Sequence, residues 1–187
     1  MSKLIEPETE RLQLRQWCPE DRAPFAALNA DAQVMEFFPS TLDKATSDAM
    51  ADRCQSLIAE RGWGLWAVEL KATAQFIGFV GLHIPTYELP FSPCVEIGWR
   101  LAKDFWGKGY ATEAAKRALQ VGFEQLELPE IVAFTTITNQ RSRAVMERLG
   151  MTLSPDYFDH PALAKDHPLL QHCLYRLAAK PSLLRQF

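Results

Sequence analysis

The sequence lacks several features that would assign a protein to a broad class at once. None of its uninterrupted apolar runs is long enough to span a bilayer, and residues 1–7 lack the apolar stretch of a signal peptide. The formal net charge of -3 provides no basic face for nucleic acid. These absences predict a cytoplasmic protein that binds neither a membrane nor, directly, a nucleic acid.

Cysteine is scarce and widely spaced. The chain has four cysteines and no Cys-x-x-Cys pair: Cys18, Cys54, Cys94 and Cys173. Paired spacings are what disulfide frameworks and zinc sites require. The pattern therefore predicts reduced thiols in a reducing compartment, with no metal site.

The length of the chain and the absence of an internal linker indicate one folding unit. The 187 residues are enough for one substantial core, and no internal repeat, low-complexity run or linker divides them. We expect a single domain over residues 1–180, followed by a C-terminal tail over residues 181–187.

Hydrophobic periodicity predicts an α/β protein with a mixed sheet, in the order βααβββαβαββ. The order does not alternate strictly, which excludes an all-parallel sheet. Strands are expected over residues 9–17, 64–70, 75–84, 94–101, 130–137, 151–157 and 172–177. Helices are expected after Cys18, from Asp43 to Gly62, after Ala111 and from Asn139 to Leu149.

The stretch 104–115 carries the clearest chemical signal, because a strand, a turn with two glycines and a helix follow one another. Unpaired amides at a helix N-terminus, approached through Gly107 and Gly109, can hold a phosphate group. The spacing fits neither a nucleotide-triphosphate loop nor a dinucleotide fingerprint. An ordinary strand-to-helix loop is the alternative.

The run from Trp106 to Ala111 resembles the acetyl-CoA pyrophosphate loop of the GNAT superfamily, Gln/Arg-x-x-Gly-x-Gly/Ala, with Trp106 in the first position. Residues 96–101 and the segment from Asn139 to Gly150 are similar to the branch that includes the ribosomal-protein N-terminal acetyltransferases. The resemblance implies acetyl-CoA as co-substrate and a central sheet that splays open beside the loop.

The resemblance also implies which residues hold acetyl-CoA. Loop amides would bind the pyrophosphate, backbone groups of residues 99–101 would meet the pantetheine and the thioester carbonyl, and an asparagine would reach the pantetheine. Lys108, Lys103 or Arg141 could meet the phosphates. The full set is Trp99, Arg100, Leu101, Trp106, Gly107, Lys108, Gly109, Tyr110, Ala111, Thr112, Asn139 and Ser142.

Glu96 is the predicted general base, because a charged residue in the middle of a strand is usually paired or part of a site. A hairpin closed by residues 85–93 would place His83 nearly opposite Glu96, so that the two could relay a proton. The alternative is a cross-strand polar pair on a wet face.

Two residues are candidates for returning a proton to the departing thiolate. The resemblance assigns this role to Ser142, and some family members use a tyrosine on a late strand, here Tyr175. Helical spacing places Asn139 and Ser142 at the start of an inward face. The alternative for this pair is that Asn139 caps the helix and Ser142 bonds to the backbone.

The acceptor is expected to be a primary amine, on a protein N-terminus or on a small molecule such as a polyamine, an amino acid or an aminoglycoside. His160, His167 and His172 near the C-terminus could contact the acceptor, replace Glu96 as the base or lie at the surface. An acyl-CoA-binding module without turnover is the alternative class, and the chain is expected to be a monomer or a homodimer.

Overall fold

The computed structural model describes residues 3–180, so the predicted tail lies outside the described residues. Within that range the predicted order of strands and helices is confirmed. The strands are β1 (Leu12–Arg15), β2 (Leu65–Leu70), β3 (Gln75–His83), β4 (Glu96–Leu101), β5 (Glu130–Thr136), β6 (Thr152–Asp159) and β7 (Gln171–Ala178). The α-helices are α1 (Arg22–Ala30), α2 (Lys44–Arg61), α3 (Tyr110–Gln120) and α4 (Gln140–Arg148).

The strands form one mixed sheet in the order β1-β2-β3-β4-β5-β7-β6. Every neighbouring pair is antiparallel except β4 and β5, which run parallel. The register of β4 and β5 has a single pair, Glu96 with Val132. The two strands therefore separate beyond Glu96, which confirms the splayed sheet, and the gap opens towards their C-terminal ends.

The helices cover opposite faces of the sheet. Arg100 of β4 donates to Asn29 of α1, so α1 lies on the face to which Arg100 points. Tyr175 of β7 bonds to Glu147 of α4, on the opposite face. The core runs through both layers and includes the buried side chains of Leu12 and Leu14, as the alternation in β1 predicts.

The helix ends follow their capping chemistry. Asp43 caps α2 by accepting from the Thr46 amide (2.8 Å), and Gly62 ends the helix in the left-handed region with φ of 86°. The helix expected after Cys18 begins instead as a 3-10 turn, Pro19–Asp21. Asp21 is buried there and pairs with Arg15 (2.8 Å).

Two strands differ from their predicted bounds. β1 is shorter than residues 9–17 because Thr9 and Arg11 bind a side chain of α3 instead of continuing the ladder. β6 continues past Pro155 to Asp159, and its register shifts between Leu153 and Tyr157. Such an irregularity accommodates a proline, which has no N–H to donate.

In the part of the chain that the structure describes, no helix combines the length and the apolar character needed to cross a membrane. All four cysteines are free thiols.

Candidate active site

A cleft of about 1360 Å³ occupies the gap between β4 and β5. Its walls come from both sides of the sheet: β4, β5, the N-terminal turn of α3 and α4, and the segments that join α1 to α2 and β6 to β7. The cleft therefore brings the glycine-rich loop and Glu96 into one site, although they lie on different elements.

The loop between β4 and α3 presents unused backbone donors to the cleft. None of the amides of residues 107–112 has an acceptor within residues 3–180. Gly107 and Gly109 have φ of 72° and 80°, a region that glycine adopts without strain. A Cβ at Gly107 would meet nothing within 4 Å, and one at Gly109 only Arg11 Nη2 at 3.5 Å. The loop can therefore accept an anion such as a pyrophosphate.

The carboxylate of Glu113, in the first turn of α3, holds this loop to the start of β1. Glu113 accepts from the Thr9 hydroxyl (2.6 Å) and from the amide and Nε of Arg11 (3.0 and 2.6 Å). Burial alone would raise the pKa of Glu113, but these hydrogen bonds lower it on balance. Arg11 Nη1 also donates to the Lys108 carbonyl (3.0 Å), so Arg11 positions the loop.

Trp106 does not leave its amide free for the cofactor, as the prediction for the loop amides requires. Its amide donates to the Lys103 carbonyl within a turn (3.0 Å). Its indole Nε1 donates to the Leu101 carbonyl (2.8 Å), and Arg141 stacks on its ring at 4.4 Å. The free amides of the loop therefore begin at Gly107.

Of the three cations predicted to meet phosphates, one lines the cleft. Arg141 lies there, half-exposed and paired with Glu36 (2.8 Å). Lys108 Nζ turns back to the Asp104 carbonyl (2.8 Å), and Lys103 binds Gln33. The predicted roles of the Lys108 and Lys103 side chains are not supported by this placement.

The backbone of β4 divides the predicted residues 99–101 between the two neighbouring strands. Ala102 donates to Ile77 of β3 (2.9 Å), whereas the Val95 carbonyl accepts from Val132 of β5 (3.0 Å). Because the hydrogen-bonding direction of the backbone alternates along a strand, the backbone groups of Trp99 point towards β5. The pairing of β4 with β5 has already ended at this position. The N–H and C=O of Trp99 therefore face the gap.

The positions of Leu101 and Arg100 do not fit the prediction that all backbone groups of residues 99–101 face the cofactor. Leu101 also points into the gap, but its carbonyl is occupied by the Trp106 indole. Arg100 directs its backbone to β3, opposite Phe79, and cannot offer it to the gap. Only Trp99 of the three keeps both backbone groups available.

Asn139 and Ser142 line the cleft at the start of α4. Asn139 caps the helix, as the alternative interpretation expects, because its Oδ1 accepts from the Ser142 amide (3.2 Å). Its Nδ2 donates to Thr135 Oγ1 (3.0 Å) and to Ser142 Oγ (3.2 Å). Ser142 Oγ thus receives one hydrogen bond, and its own proton is left for a group in the cleft. Thr135, on β5, carries no signal in the sequence that would predict this contact.

Tyr175 does not reach the cleft, which corrects its prediction as a proton donor. It lies on the α4 face of β7 with 1% of its surface exposed. Its hydroxyl donates to Glu147 (3.0 Å) and accepts from Arg143 Nε (3.3 Å). Burial raises the pKa of Tyr175, and its hydroxyl links β7 to α4.

His83 and Glu96 stand opposite each other in the register of β3 and β4, as the predicted hairpin requires. Their atoms Nε2 and Oε2 are 2.7 Å apart, and both residues line the cleft. Burial alone would lower the pKa of His83, but the hydrogen bond and the charge of Glu96 outweigh it and raise that pKa on balance. The pair can hold and release one proton.

Two of the three C-terminal histidines come together in the same cleft. The rings of His160 and His172 are 4.8 Å apart and line the cleft next to Phe134. Burial lowers the pKa of both histidines, that of His172 to about 4, so both rings are neutral at pH 7. His167 lies apart, accepting from the Leu169 amide. Phe91 and Phe158 pack behind these rings, and we call the cluster of Phe91, Phe134, Phe158, His160 and His172 the aromatic wall.

The arrangement combines an anion-binding loop, free backbone groups at Trp99, a hydroxyl at Ser142 and a carboxylate–imidazole pair in one cleft. These are the groups that acyl transfer needs, because a leaving group must be held, an oxyanion stabilised and two protons moved. Within the described ranges, no group of three or more histidine, cysteine or acidic residues could hold a metal ion.

Comparison with known proteins identifies the same chemistry. Residues 11–152 match the model of the acetyltransferase (GNAT) domain. Over 160 residues the chain is 33% identical to the FsC-acetyl coenzyme A-N(2)-transacetylase of Aspergillus fumigatus, a match that covers 81% of this chain and 66% of that protein.

Solved structures share the fold. A GNAT-family acetyltransferase from Bacillus anthracis superposes with a TM-score of 0.78 at 23% identity, covering 94% of this chain and 99% of that one. The ribosomal L7/L12 acetyltransferase RimL, solved in complex with coenzyme A, superposes with a TM-score of 0.71 at 16% identity, covering 92% and 96%.

Proposed function

Because this chain belongs to the GNAT family of acetyltransferases, we propose that its cleft transfers the acetyl group of acetyl-CoA to a primary amine, with the residues around Glu96 moving the protons. Enzymes of this family that the chain resembles use acetyl-CoA. The observation that carries the assignment of sites is the position of the free loop amides and the His83–Glu96 pair in the same cleft.

The loop is the proposed site for the pyrophosphate. The amides of Gly107 to Thr112 supply donors, and the N-terminal end of α3 adds positive potential. Arg141 lies where it can meet a phosphate at the rim. The pantetheine would run in the gap between β4 and β5, where Trp99 and Asn139 offer hydrogen-bonding groups.

The chemical step needs two proton transfers. The acceptor nitrogen adds to the thioester carbonyl of acetyl-CoA and gives a tetrahedral oxyanion, and the C–S bond breaks when that oxyanion collapses. The His83–Glu96 pair takes the proton that the amine loses, because a neutral imidazole hydrogen-bonded to a carboxylate is an effective base. The Trp99 amide is the proposed donor to the oxyanion, and Ser142 the proposed donor of a proton to the thiolate.

The acceptor is the part of the proposal that the sequence left open. A protein N-terminus and a small-molecule amine both carry the primary amine that the cleft can deprotonate. Similarity to RimL, named as an acetyltransferase of the ribosomal L7/L12 protein, favours a protein N-terminus, whereas the Aspergillus transacetylase is named for FsC, a different acceptor. The closer sequence match is the second one, at 33% identity.

The test is the release of free thiol from acetyl-CoA in the presence of a panel of amines, including peptides with free N-termini. We expect thiol release that depends on an amine, with the acetylated amine identified by mass spectrometry. Protection against heat by acetyl-CoA, without thiol release from any amine, would show a binding module and contradict the proposed function. The variant Glu96→Gln controls for uncatalysed transfer.

A further inference from the structure

Arg100 is a charged side chain buried in the wall of the cleft. Only 8% of its surface is exposed, and it lines the cleft together with Phe38 and Phe79. It lies four residues from Glu96 on β4, so the two side chains point to the same face of the sheet. Glu96 and Arg100 therefore bracket one side of the site, about 13 Å apart along the strand.

The guanidinium is fixed in place by neutral groups from several elements. Nη1 donates to Asn29 Oδ1 of α1 (2.6 Å), and Asn29 Nδ2 donates to Ser47 Oγ of α2 (2.9 Å). Asn29 and Ser47 are fully buried. The rings of Phe38 and Phe79 lie 4.1 and 5.4 Å from the guanidinium carbon. This is a preorganised position, because α1, α2 and β3 all contribute to it.

Arg100 lacks a counter-charge among residues 3–180. None of the ion pairs of the described chain includes it, and no acidic side chain perturbs its pKa. Burial lowers that pKa to about 10, which leaves the group charged at neutral pH. Its Nε is buried without an acceptor, and its Nη2 donates to no group of the described chain. A buried charge of this kind is costly unless something pairs with it.

We infer that Arg100 binds a carboxylate of the acceptor, so that the preferred acceptors are amino acids rather than simple amines or protein N-termini. The inference rests on the proposed function. The anion-binding loop proposed for acetyl-CoA follows β4 directly beyond Leu101, so its backbone begins next to that of Arg100. The Arg100 side chain lies instead on the α1 side, beside the segment that joins α1 to α2.

The aromatic wall does not supply this charge. His160 and His172 are neutral at pH 7, since burial lowers the pKa of both. Within the cleft, the remaining cationic side chains lie on α3 or α4, and Arg141 among them is paired with Glu36. Arg100 is therefore the group best placed to discriminate an acceptor that carries a carboxylate from one that does not.

The experiment compares matched acceptors that differ only in the carboxylate. The panel contains ω-amino acids from glycine to 6-aminohexanoate and the common L-α-amino acids, each paired with its primary amide, plus tripeptides with free N-termini. We expect acids to exceed their amides in kcat/KM by about thirtyfold or more, mostly through KM. We expect Arg100→Gln to abolish this preference while its affinity for acetyl-CoA stays unchanged.

Two further variants keep the test decisive. Arg100→Lys retains the charge and should keep part of the preference, which separates binding from a purely structural role. Arg141→Gln, at an arginine of α4 that also lines the cleft, should lower acetyl-CoA affinity and leave the ratio of acid to amide unchanged. If Arg100→Gln fails to fold, Arg100→Lys and the ratio in the unmodified protein decide the question.

The outcomes separate this inference from the proposed function. An enzyme that acetylates amides or tripeptides as well as the acids contradicts the inference and leaves the acetyltransferase intact. A preference for acids that persists in Arg100→Gln also contradicts it, because the selectivity would then reside elsewhere. A protein that binds acetyl-CoA but releases thiol with no member of the panel contradicts both.

Discussion

The two ends of the cleft are built in different ways. The proposed cofactor end is nearly contiguous in sequence, because backbone groups at the end of β4, the glycine-rich turn and the start of α3 follow one another, whereas the Arg100 side chain turns to the α1 side. The acceptor end is assembled from distant segments: Arg100 meets Asn29 across 71 positions, and His172 meets Phe134 across a different pair of strands.

The difference explains which end a sequence can identify. A contiguous backbone site leaves a motif, because glycine must occupy positions with positive φ. An acceptor wall made of side chains from separate elements leaves no such motif. It can also change its residues without disturbing the loop, which fits a family whose members differ in acceptor.

Replacing the proposed base should produce the largest effect and sharpen the comparison, because it leaves the cofactor end untouched. Glu96→Gln should lower turnover about a hundredfold or more while acetyl-CoA binds normally. Activity should recover in part at high pH, where the acceptor amine is already unprotonated. Steady-state kinetics across pH measure this, and near-full activity at every pH would make Glu96 a structural residue.

The pair also predicts the pH dependence of the unmodified enzyme. His83 must be neutral to take a proton, and its pKa is raised above 6.5 by Glu96. In the pH profile of kcat/KM, the pKa of the rising limb should therefore lie above the ordinary pKa range of histidine. His83→Gln should remove that limb and lower the rate less than Glu96→Gln does. A limb at or below pH 6.5 would contradict the raised pKa.

Removing the hydroxyl of Ser142 tests whether this residue acts in the chemical step or only in holding acetyl-CoA. Ser142→Ala should lower turnover about a hundredfold with little change in acetyl-CoA affinity. Tyr175→Phe is the matched control, because it also removes one hydroxyl bonded near α4. It should leave turnover almost unchanged and reduce stability by roughly 1 kcal/mol through the lost hydrogen bond to Glu147. The reverse result would assign the donor role to Tyr175.

A side chain in the glycine turn should weaken the cofactor end alone. Gly109→Val places a β-branched residue at φ of 80° and fills space open to a phosphate, so acetyl-CoA affinity should fall about tenfold or more. Gly150→Val is the control, since Gly150 has φ of 77°, open surroundings and a position outside the cleft lining. Equal loss of affinity in both variants would indicate backbone strain instead of a lost site.

The smallest effect concerns the aromatic wall at the acceptor end. Burial lowers the pKa of His172 to about 4, so the unfolded chain binds its proton first as the pH falls. Stability should therefore decrease between pH 6.5 and pH 4, by on the order of 1 kcal/mol once solvent screening is allowed for. His172→Gln should flatten this part of the stability profile in denaturant titrations. An unchanged slope would show that His172 contributes nothing to acid sensitivity.

Local patterns were enough to predict the order of elements, the caps of α2 and the glycine turn. The facing pair His83 and Glu96 was also predictable, because a hairpin fixes the register of its strands. Contacts between distant segments were not predictable. The sequence gives no sign that Arg11 and Glu113 join across 102 positions, or that Asn29 holds Arg100.

The face of a strand was the other source of error. Tyr175 and His172 lie on the same strand, β7, but three positions apart they point to opposite faces. Alternation alone does not say which face meets the cleft. The sequence therefore predicts Tyr175 as a proton donor, whereas in the structure it lies outside the cleft lining and its hydroxyl bonds to Glu147. The structural role of the Trp106 side chain is not predictable either, because an indole that binds a carbonyl five residues away leaves no pattern in the sequence.

Calorimetric titration of acetyl-CoA into three proteins tests the division of the cleft most directly. We predict that the unmodified chain and Glu96→Gln bind with equal affinity, and that Gly109→Val binds about tenfold more weakly or worse. That result would place the cofactor on the contiguous loop and the carboxylate at the acceptor end. Equal weakening in Glu96→Gln and Gly109→Val, or full affinity in Gly109→Val, would contradict it.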